Sequence, residues 1–115
     1  MLEIVLEFRK GILFVRMMGE LKKETISILQ TEVTDTVLKN GIQNIVFNIE
    51  QLTHIDMKGM SALLYHYEIC KNRKGKCYIC NIPNEMMRLR LKKSRILKYI
   101  HEMDNELTIL HTVTV

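Results

Sequence analysis

The chain has 115 residues, a formal net charge of +4, 47% apolar residues and 26% charged residues. This length suits one globular domain, which we expect to span residues 1–115, and the composition is wrong for a disordered protein. No apolar run approaches the ~20 residues that cross a bilayer. The N-terminus carries an acid, Glu3, where a signal peptide carries positive charge. We therefore expect a cytoplasmic protein that does not insert into a membrane.

The first third of the chain contains two strand patterns and one helix pattern. Leu2 to Glu7 and Ile12 to Met17 are rich in β-branched residues and flank Gly11, which predicts a β-hairpin. From Thr25 to Lys39 apolar residues recur every three or four positions, which predicts a helix with Thr25 as its cap. Asn40-Gly41 predicts the end of that helix.

The rest of the chain continues the alternation. Ile45 to Ile49 is an apolar run typical of a strand buried on both faces. A helix is predicted from about Met57 to Lys71 and a strand from Cys77 to Ile82. Residues 86–93 fit either a strand, because residues 89–92 alternate, or a helix that begins near Pro83, which this proline and Glu85 favour. The residues predicted on the inner side of the first of these helices are Met60, Leu63, Leu64, Tyr67 and Cys70.

The order of elements is β-β-α-β-α-β-α, followed by a tail from Ile96 to Val115 whose secondary structure the sequence does not define. Strands that alternate with helices imply crossover connections. We therefore predict an α/β fold in which helices pack on a mixed, largely parallel sheet of four to five strands.

The turn from the buried strand into the next helix is the most informative feature. Asp56 is a natural N-cap, because its carboxylate can accept the free backbone N–H groups at a helix start. Gly59 allows the first turn of the helix to approach another backbone closely. In open α/β sheets, ligands and partners dock at the carboxyl ends of the strands.

Three ordered stretches of the chain resemble the STAS domain family, which includes anti-sigma factor antagonists and the tails of sulfate transporters. They cover nearly the whole chain with compatible spacing. The stretches are Gly19-Glu20-Leu21 with Thr25 and Leu29; the strand Ile45 to Ile49 with Leu52-Thr53 and Ile55-Asp56-Met57-Lys58-Gly59-Met60; and Gly75 with Cys77 to Ile82 and Pro83.

The resemblance implies a protein-binding function without catalysis. An antagonist of this family binds an anti-sigma factor that is also a serine kinase of the GHKL type, and binding frees the sigma factor. The kinase can phosphorylate the first serine after the aspartate, which breaks the complex. The partner-binding residues that the resemblance indicates here are Asp56, Met57, Lys58 and Gly59, together with Gly19, Glu20 and Leu21.

The chain departs from the family pattern at the phosphorylated position, which is Met57, and at the next serine, which is Lys58. Methionine has no hydroxyl and cannot accept phosphate. Three interpretations stay open: an antagonist that is permanently active, a STAS module of another pathway without a phosphoswitch, or use of another hydroxyl, Thr53 or Ser61. The second is slightly favoured over the first, and the third ranks well below both.

Two further departures weaken the identification of the partner more than that of the fold. Lys22 follows Gly19-Glu20-Leu21 where the family often has Asp, and Ser94 or Arg95 replaces the Gly expected before an apolar pair in the tail. The alternative function is a structural STAS subunit of a regulatory scaffold or a transporter-associated assembly, and other STAS proteins are then the partners.

Other kinds of site have less support. His66, Cys70, Cys77 and Cys80 have spacings that suit zinc, but the odd separation of Cys77 and Cys80 on a strand puts them on opposite faces. The same geometry argues against a redox pair, and an odd number of cysteines argues against a disulfide framework. We therefore expect buried structural cysteines and no metal site. No phosphate-binding loop or catalytic triad is apparent, so we expect no enzyme and no cofactor.

The segment from Lys71 to Lys98 contains ten basic residues against one acid, Glu85. A solvated basic face accounts for this asymmetry about as well as an acidic partner, nucleic acid or an anionic membrane does. The segment has one aromatic residue, Tyr78, and Tyr99 directly follows it, which is too few for a single-strand binding platform. Nucleic acid is therefore the least favoured partner.

Overall fold

The computed structural model describes residues 1–112, which form a five-stranded sheet with the strands in chain order. β1 (Leu2–Arg9) pairs antiparallel with β2 (Ile12–Leu21). The pairs of β2 with β3 (Asn44–Ile55), β3 with β4 (Cys77–Cys80) and β4 with β5 (His101–Met103) are all parallel. The prediction of an α/β fold with a mixed, largely parallel sheet is confirmed.

The loop between β1 and β2 consists of Lys10 and Gly11, whose φ angles are 52° and 79°. Arg9 and Ile12 pair across it. Positive φ at both loop positions is typical of a type I′ turn, whose twist matches that of the flanking strands. The predicted hairpin is confirmed, with longer strands than predicted.

β3 continues past the predicted strand of Ile45 to Ile49 and ends at Ile55. Its second half lies beside the end of β2, where Gly19 pairs with Leu52 and Leu21 pairs with Ile55. Of this extension, only Leu52 and Ile55 are buried. The continuous apolar run therefore stops before the strand does.

The segment between β2 and β3 is helical as predicted, but it is not one regular helix. α1 (Ile26–Leu29) and α2 (Asp35–Asn40) flank a π-helical turn over Gln30–Thr34. The predicted end is confirmed, because Gly41 adopts the left-handed conformation with a φ of 62°.

Thr25 lies at the N-cap position of α1 as predicted, but its side chain makes no capping hydrogen bond to that helix. Its hydroxyl accepts a hydrogen bond from the backbone N–H of Lys22 at 3.0 Å and donates to the carbonyl of Glu20 at 2.8 Å. These bonds close a 3-10 turn over Lys23–Thr25, so the hydroxyl serves the turn before the helix and not the helix itself.

α3 (Met57–Asn72) confirms the predicted helix. Its buried side includes Met60, Leu63 and Cys70 as predicted, whereas Leu64 and Tyr67 are only half-buried at the margin of the core. The side chains of His66 and Ile69 are also buried, which the sequence did not predict.

His66 is buried because both of its ring nitrogens have partners. Nε2 lies 2.8 Å from the hydroxyl of Thr34, and Nδ1 lies 2.8 Å from the carbonyl of Ala62. Burial lowers the pKa of His66, although the bond to Ala62 acts in the opposite direction. The lowered pKa favours a neutral ring. The ring therefore donates through Nδ1 and accepts through Nε2.

The two faces of the sheet pack against different helices. On one face the buried residues of the sheet join those of α1 to α3 and of α4 (Glu85–Lys93) in one large cluster that contains Cys77. On the other face a smaller cluster contains Cys80 and is covered by Ile109 of α5 (Glu106–Thr112). The prediction that Cys77 and Cys80 lie on opposite faces is confirmed.

α4 confirms the helix predicted over Met86 to Lys93, but it does not begin at Pro83. β4 ends at Cys80, before Ile82, and Asn84 is the N-cap, since its side-chain oxygen accepts the backbone N–H of Met87 at 2.9 Å. The prediction that Pro83 begins this helix is wrong, because Pro83 precedes the cap.

The tail contains β5 and α5, which the sequence did not define. Residues 113–115 of the tail lie outside the described part of the chain. Arg95 stands before β5 and α5 with a φ of 65°. This left-handed position is one of the two at which the family resemblance expected Gly.

α5 is fastened to the second face of the sheet by an ion pair. The Arg16 guanidinium donates to both carboxylate oxygens of Glu106, at 2.9 and 2.7 Å, and the side-chain amide of Asn48 donates to one of them at 2.7 Å.

No helix among residues 1–112 combines the length and the apolar character that crossing a bilayer requires.

Candidate protein-docking site

Asp56 joins the start of α3 to the segment that follows β2. Its Oδ1 accepts the backbone N–H of Gly59 at 2.8 Å, which confirms it as the N-cap of α3. Its Oδ2 accepts the backbone N–H of Lys23 at 3.0 Å, and its own N–H donates to the carbonyl of Leu21 at 3.2 Å. One short side chain thus fixes two backbone segments relative to each other.

The electrostatics of the site keep Asp56 ionised. Partial burial raises the pKa of its carboxyl, but the hydrogen bonds from the Gly59 and Lys23 amides outweigh that effect, and the pKa is lowered overall. The electrostatic interaction with the nearby His54 side chain lowers the pKa of Asp56 further. A negative charge at the positive end of a helix is favourable for the same reason.

Gly59 is required by the close approach of α3 to the end of β2. A Cβ atom there would overlap the carbonyl oxygen of Leu21 and lie 3.0 Å from both Leu21 Cγ and Ile55 Cγ1. The side chain of Leu21 is itself buried in the core. Gly59 and Leu21 therefore position the predicted site from below and offer little surface to a partner.

Gly19 and Glu20 lie at the same end of the sheet, beside the start of the chain. Gly19 has a φ of 106°, and a Cβ there would overlap the carbonyl oxygen of Met1, which accepts the Glu20 backbone N–H at 2.8 Å. The Glu20 carboxylate lies 3.2 Å from the Lys22 ammonium and 3.6 Å from the Met1 amino group. Lys22 is the main cause of the lowered pKa of Glu20.

The exposed side chains of the site are Met57 and Lys58, the first two residues of α3. Met57 is 70% exposed, so the start of α3 offers a large apolar side chain to a partner. Of the two alternative hydroxyls, Thr53 donates to the carbonyl of Gly19 at 3.0 Å, and Ser61 is exposed farther along α3.

The structure adds residues of α4 that the sequence reasoning missed. Arg90 Nη1 lies 3.3 Å from His54 Nδ1, so α4 lies beside the turn that leads to Asp56. Met86 is one helical turn before Arg90 and is 73% exposed, and Leu89 is 51% exposed. The parallel order of β3 and β4 was the available signal, because helices that follow neighbouring parallel strands start at the same edge of a sheet.

Within residues 1–112, no group of three or more His, Cys, Asp or Glu side chains is placed to hold a metal ion. The arrangement around Asp56 consists of a rigid cap, an exposed methionine and several cations. Such a surface can bind a protein partner, whereas it presents no nucleophile with an adjacent base.

The fold is a mixed α/β sheet with helices on its faces, and the capped turn at Asp56 lies at the carboxyl end of β3. The sequence pattern of the STAS domain matches residues 3–110, and the chain belongs to that family. The chain is 27% identical over 109 residues to an anti-sigma F factor antagonist of Paenibacillus polymyxa, covering 95% of this chain and 92% of the relative.

Two solved structures show the same fold. A crystal structure of a Thermotoga maritima protein described as a putative anti-sigma factor antagonist matches with a TM-score of 0.87 at 15% identity, covering 96% of this chain and 93% of that one. The phosphorylated form of the Bacillus cell fate determinant SpoIIAA matches with a TM-score of 0.73 at 19% identity, covering 96% and 100%. The chain is thus similar to anti-sigma factor antagonists in sequence and in fold.

Proposed function

We propose that the chain is an antagonist-like module that docks onto an anti-sigma factor of the GHKL serine-kinase type in the cytoplasm. The docking surface would consist of Met57 and Lys58 at its centre, with Glu20 on one side and Arg90 and Met86 of α4 on the other. The observation that carries the proposal is the exposure of Met57 directly after the Asp56 cap. The antagonist relative supports an anti-sigma factor as the partner, and the GHKL type follows from the family resemblance alone.

The physical basis is a small apolar centre within a polar rim. Burying a methionine side chain contributes about 1.5–3 kcal/mol, which exceeds the net effect of most rim charges. Lys58 and Arg90 are both exposed, and their positive charges favour a partner with acidic groups. Asp56, Gly59 and Leu21 act by holding this surface in place.

We further propose that this surface has no phosphoswitch at residue 57. The family resemblance places the phosphorylated serine of other antagonists at Met57, and a relative has been solved in a phosphorylated form. A phosphate at that position would add about −1.5 to −2 charge next to Asp56. Methionine cannot carry it, so binding would not respond to the kinase activity of the partner.

Affinity purification of the chain from its own cells, with ATP present, tests the partner. The tag belongs at the C-terminus, and mass spectrometry identifies the bound proteins. We expect a GHKL kinase in stoichiometric amount. Recovery of other STAS proteins or of a membrane transporter, with no such kinase, would contradict the proposal and favour a scaffold function.

Variants of Met57 test the switch. Met57→Ser restores a hydroxyl, and we expect ATP to release the complex and phosphate to appear on residue 57. Met57→Ala is the matched control, because it removes the same thioether without adding a hydroxyl. It should weaken binding by about tenfold, with no response to ATP. Equal affinity of wild type and Met57→Ala would exclude Met57 from the interface.

A further inference from the structure

A cavity of about 870 Å³ lies at the opposite end of the sheet from Asp56. It opens where the parallel strands begin, at Asn44 of β3, Cys77 of β4 and His101 of β5. It is open to solvent, because Lys71, Lys74, Lys76 and Tyr99 along it are exposed. A ligand here would not compete with a protein docked at the carboxyl end of β3.

Three lysines give this cavity, which we call the lysine cavity, a positive potential. Lys71, Lys74 and Lys76 line it, and no acidic residue does within the described part of the chain. None of the three ammonium groups forms an ion pair with a carboxylate of residues 1–112. Unpaired like charges around one concave space attract an anion.

Aromatic rings form another part of the wall. Three of the four tyrosines of the chain, Tyr67, Tyr78 and Tyr99, line the cavity. The rings of Tyr67 and Tyr99 are tilted against each other, with 5.7 Å between their centroids. The rings of Tyr78 and His101 are nearly perpendicular, with 5.9 Å between their centroids. Rings in such a wall favour a flat, apolar group as the second part of a ligand.

The turn that carries two of the lysines is held in place by the start of β3. Gly75 packs so closely on Gln43 that a Cβ atom would overlap the Gln43 carbonyl. The side-chain amide of Gln43 donates to the backbone carbonyl of Arg73 at 3.1 Å. The backbone N–H of Lys76 donates to the side-chain oxygen of Asn44 at 2.9 Å. The lysines thus project from a fixed backbone.

We propose that the lysine cavity binds a small organic anion that carries a flat ring. The ammonium groups of Lys71, Lys74 and Lys76 hold the phosphate or carboxylate of the ligand, and its ring packs against the tyrosines. The three lysines belong to the basic segment from Lys71 to Lys98, so the site gives part of that segment a role. The proposal does not depend on the docking function.

Calorimetric titration of the full chain tests this site. Phenyl phosphate and benzoate are the probes that contain both parts. Inorganic phosphate and acetate supply the two anionic groups alone, and phenol supplies the ring alone. We expect at least one complete probe to bind more tightly than ~1 mM, and at least tenfold more tightly than its separate parts. Which probe binds better distinguishes a phosphate from a carboxylate ligand.

A charge-matched pair of variants ties the binding to the cavity. Replacing Lys71, Lys74 and Lys76 together by Gln should weaken the better probe by about tenfold or more, because three ammonium contacts are lost. The control replaces Lys39, Lys92 and Lys93 by Gln, which lowers the net charge equally at exposed positions outside the cavity and should change affinity by less than about twofold.

Three results would overturn the proposal. The first is no binding of either complete probe. The second is equal weakening in the two triple variants, which would show a response to net charge alone. The third is amide chemical-shift changes that lie away from residues 43–44, 67–78 and 99–103 on addition of the probe.

Discussion

The Asp56 carboxylate accepts two backbone N–H groups from different elements, Gly59 in α3 and Lys23 after β2. Asp56→Ala removes both acceptors and leaves the two amides to water. The loss of an N-cap acceptor costs about 1 kcal/mol, and the charged bond to Lys23 adds a comparable amount after allowance for partial exposure. We therefore expect a loss of about 2 kcal/mol in the free energy of unfolding.

Urea unfolding followed by circular dichroism measures this loss at pH 7. Asp35→Ala is the matched control, because Asp35 is exposed and its carboxylate accepts no hydrogen bond within residues 1–112, so the change should stay within about 0.5 kcal/mol. Asp56→Asn keeps an oxygen acceptor and should lose less than Asp56→Ala. Equal stability of Asp56→Ala and the wild type would refute the account of the cap.

The pH dependence gives a second check on Asp56. Its pKa is lowered in the folded state, so its contribution to stability is present above the unfolded pKa of about 3.9 and is lost as the pH falls through the folded pKa. The difference in stability between wild type and Asp56→Ala should therefore shrink below about pH 4. A difference that stays constant down to pH 2 would contradict the charge assignment.

Three other substitutions test separate features by the same unfolding assay. Gly59→Ala should lose about 1–2 kcal/mol despite the better helix propensity of Ala, since the added Cβ meets the backbone carbonyl of Leu21; unchanged stability would disprove the close approach. Arg95→Gly should gain about 0.5 kcal/mol, because relief of the left-handed strain exceeds the entropy of the added Gly, and a loss would contradict this. Glu106→Gln should lose about 1–2 kcal/mol and hasten proteolysis of α5, because Gln keeps one acceptor oxygen for Arg16 and turns an amide NH2, which cannot accept, toward the guanidinium; equal proteolysis rates would show that the pair does not fasten α5.

The parts of the fold that the sequence predicted are those in which a local pattern and the tertiary structure agree. The hairpin at Gly11, the end of the helix at Gly41 and the cap at Asp56 each depend on one residue whose chemistry acts over a few positions. The apolar run at Ile45 to Ile49 marks a strand that is buried on both faces. Such signals need no knowledge of distant contacts.

The missed parts depend on contacts that are remote in sequence. β5 is a strand of three residues whose side chains are at most half-buried, and only its pairing with β4 defines it. α5 is held by Glu106, whose partner Arg16 lies 90 positions earlier. His66 is buried because Thr34 supplies a hydrogen bond, and no spacing in the chain predicts that pair. The contact of Arg90 with His54 is of the same kind, so the α4 side of the candidate site was missed too.

The position of Met1 affects how the chain can be joined to other proteins. Its carbonyl accepts the Glu20 amide, and its amino group faces the Glu20 carboxylate, so the first residue lies beside the proposed docking surface. A tag or fused domain placed before Met1 would emerge next to that surface and could mask it. A binder fused there through a short linker would instead be held at millimolar effective concentration beside its target. The same fusion could thus serve as a blocking device or as a covalent capture of a weak complex.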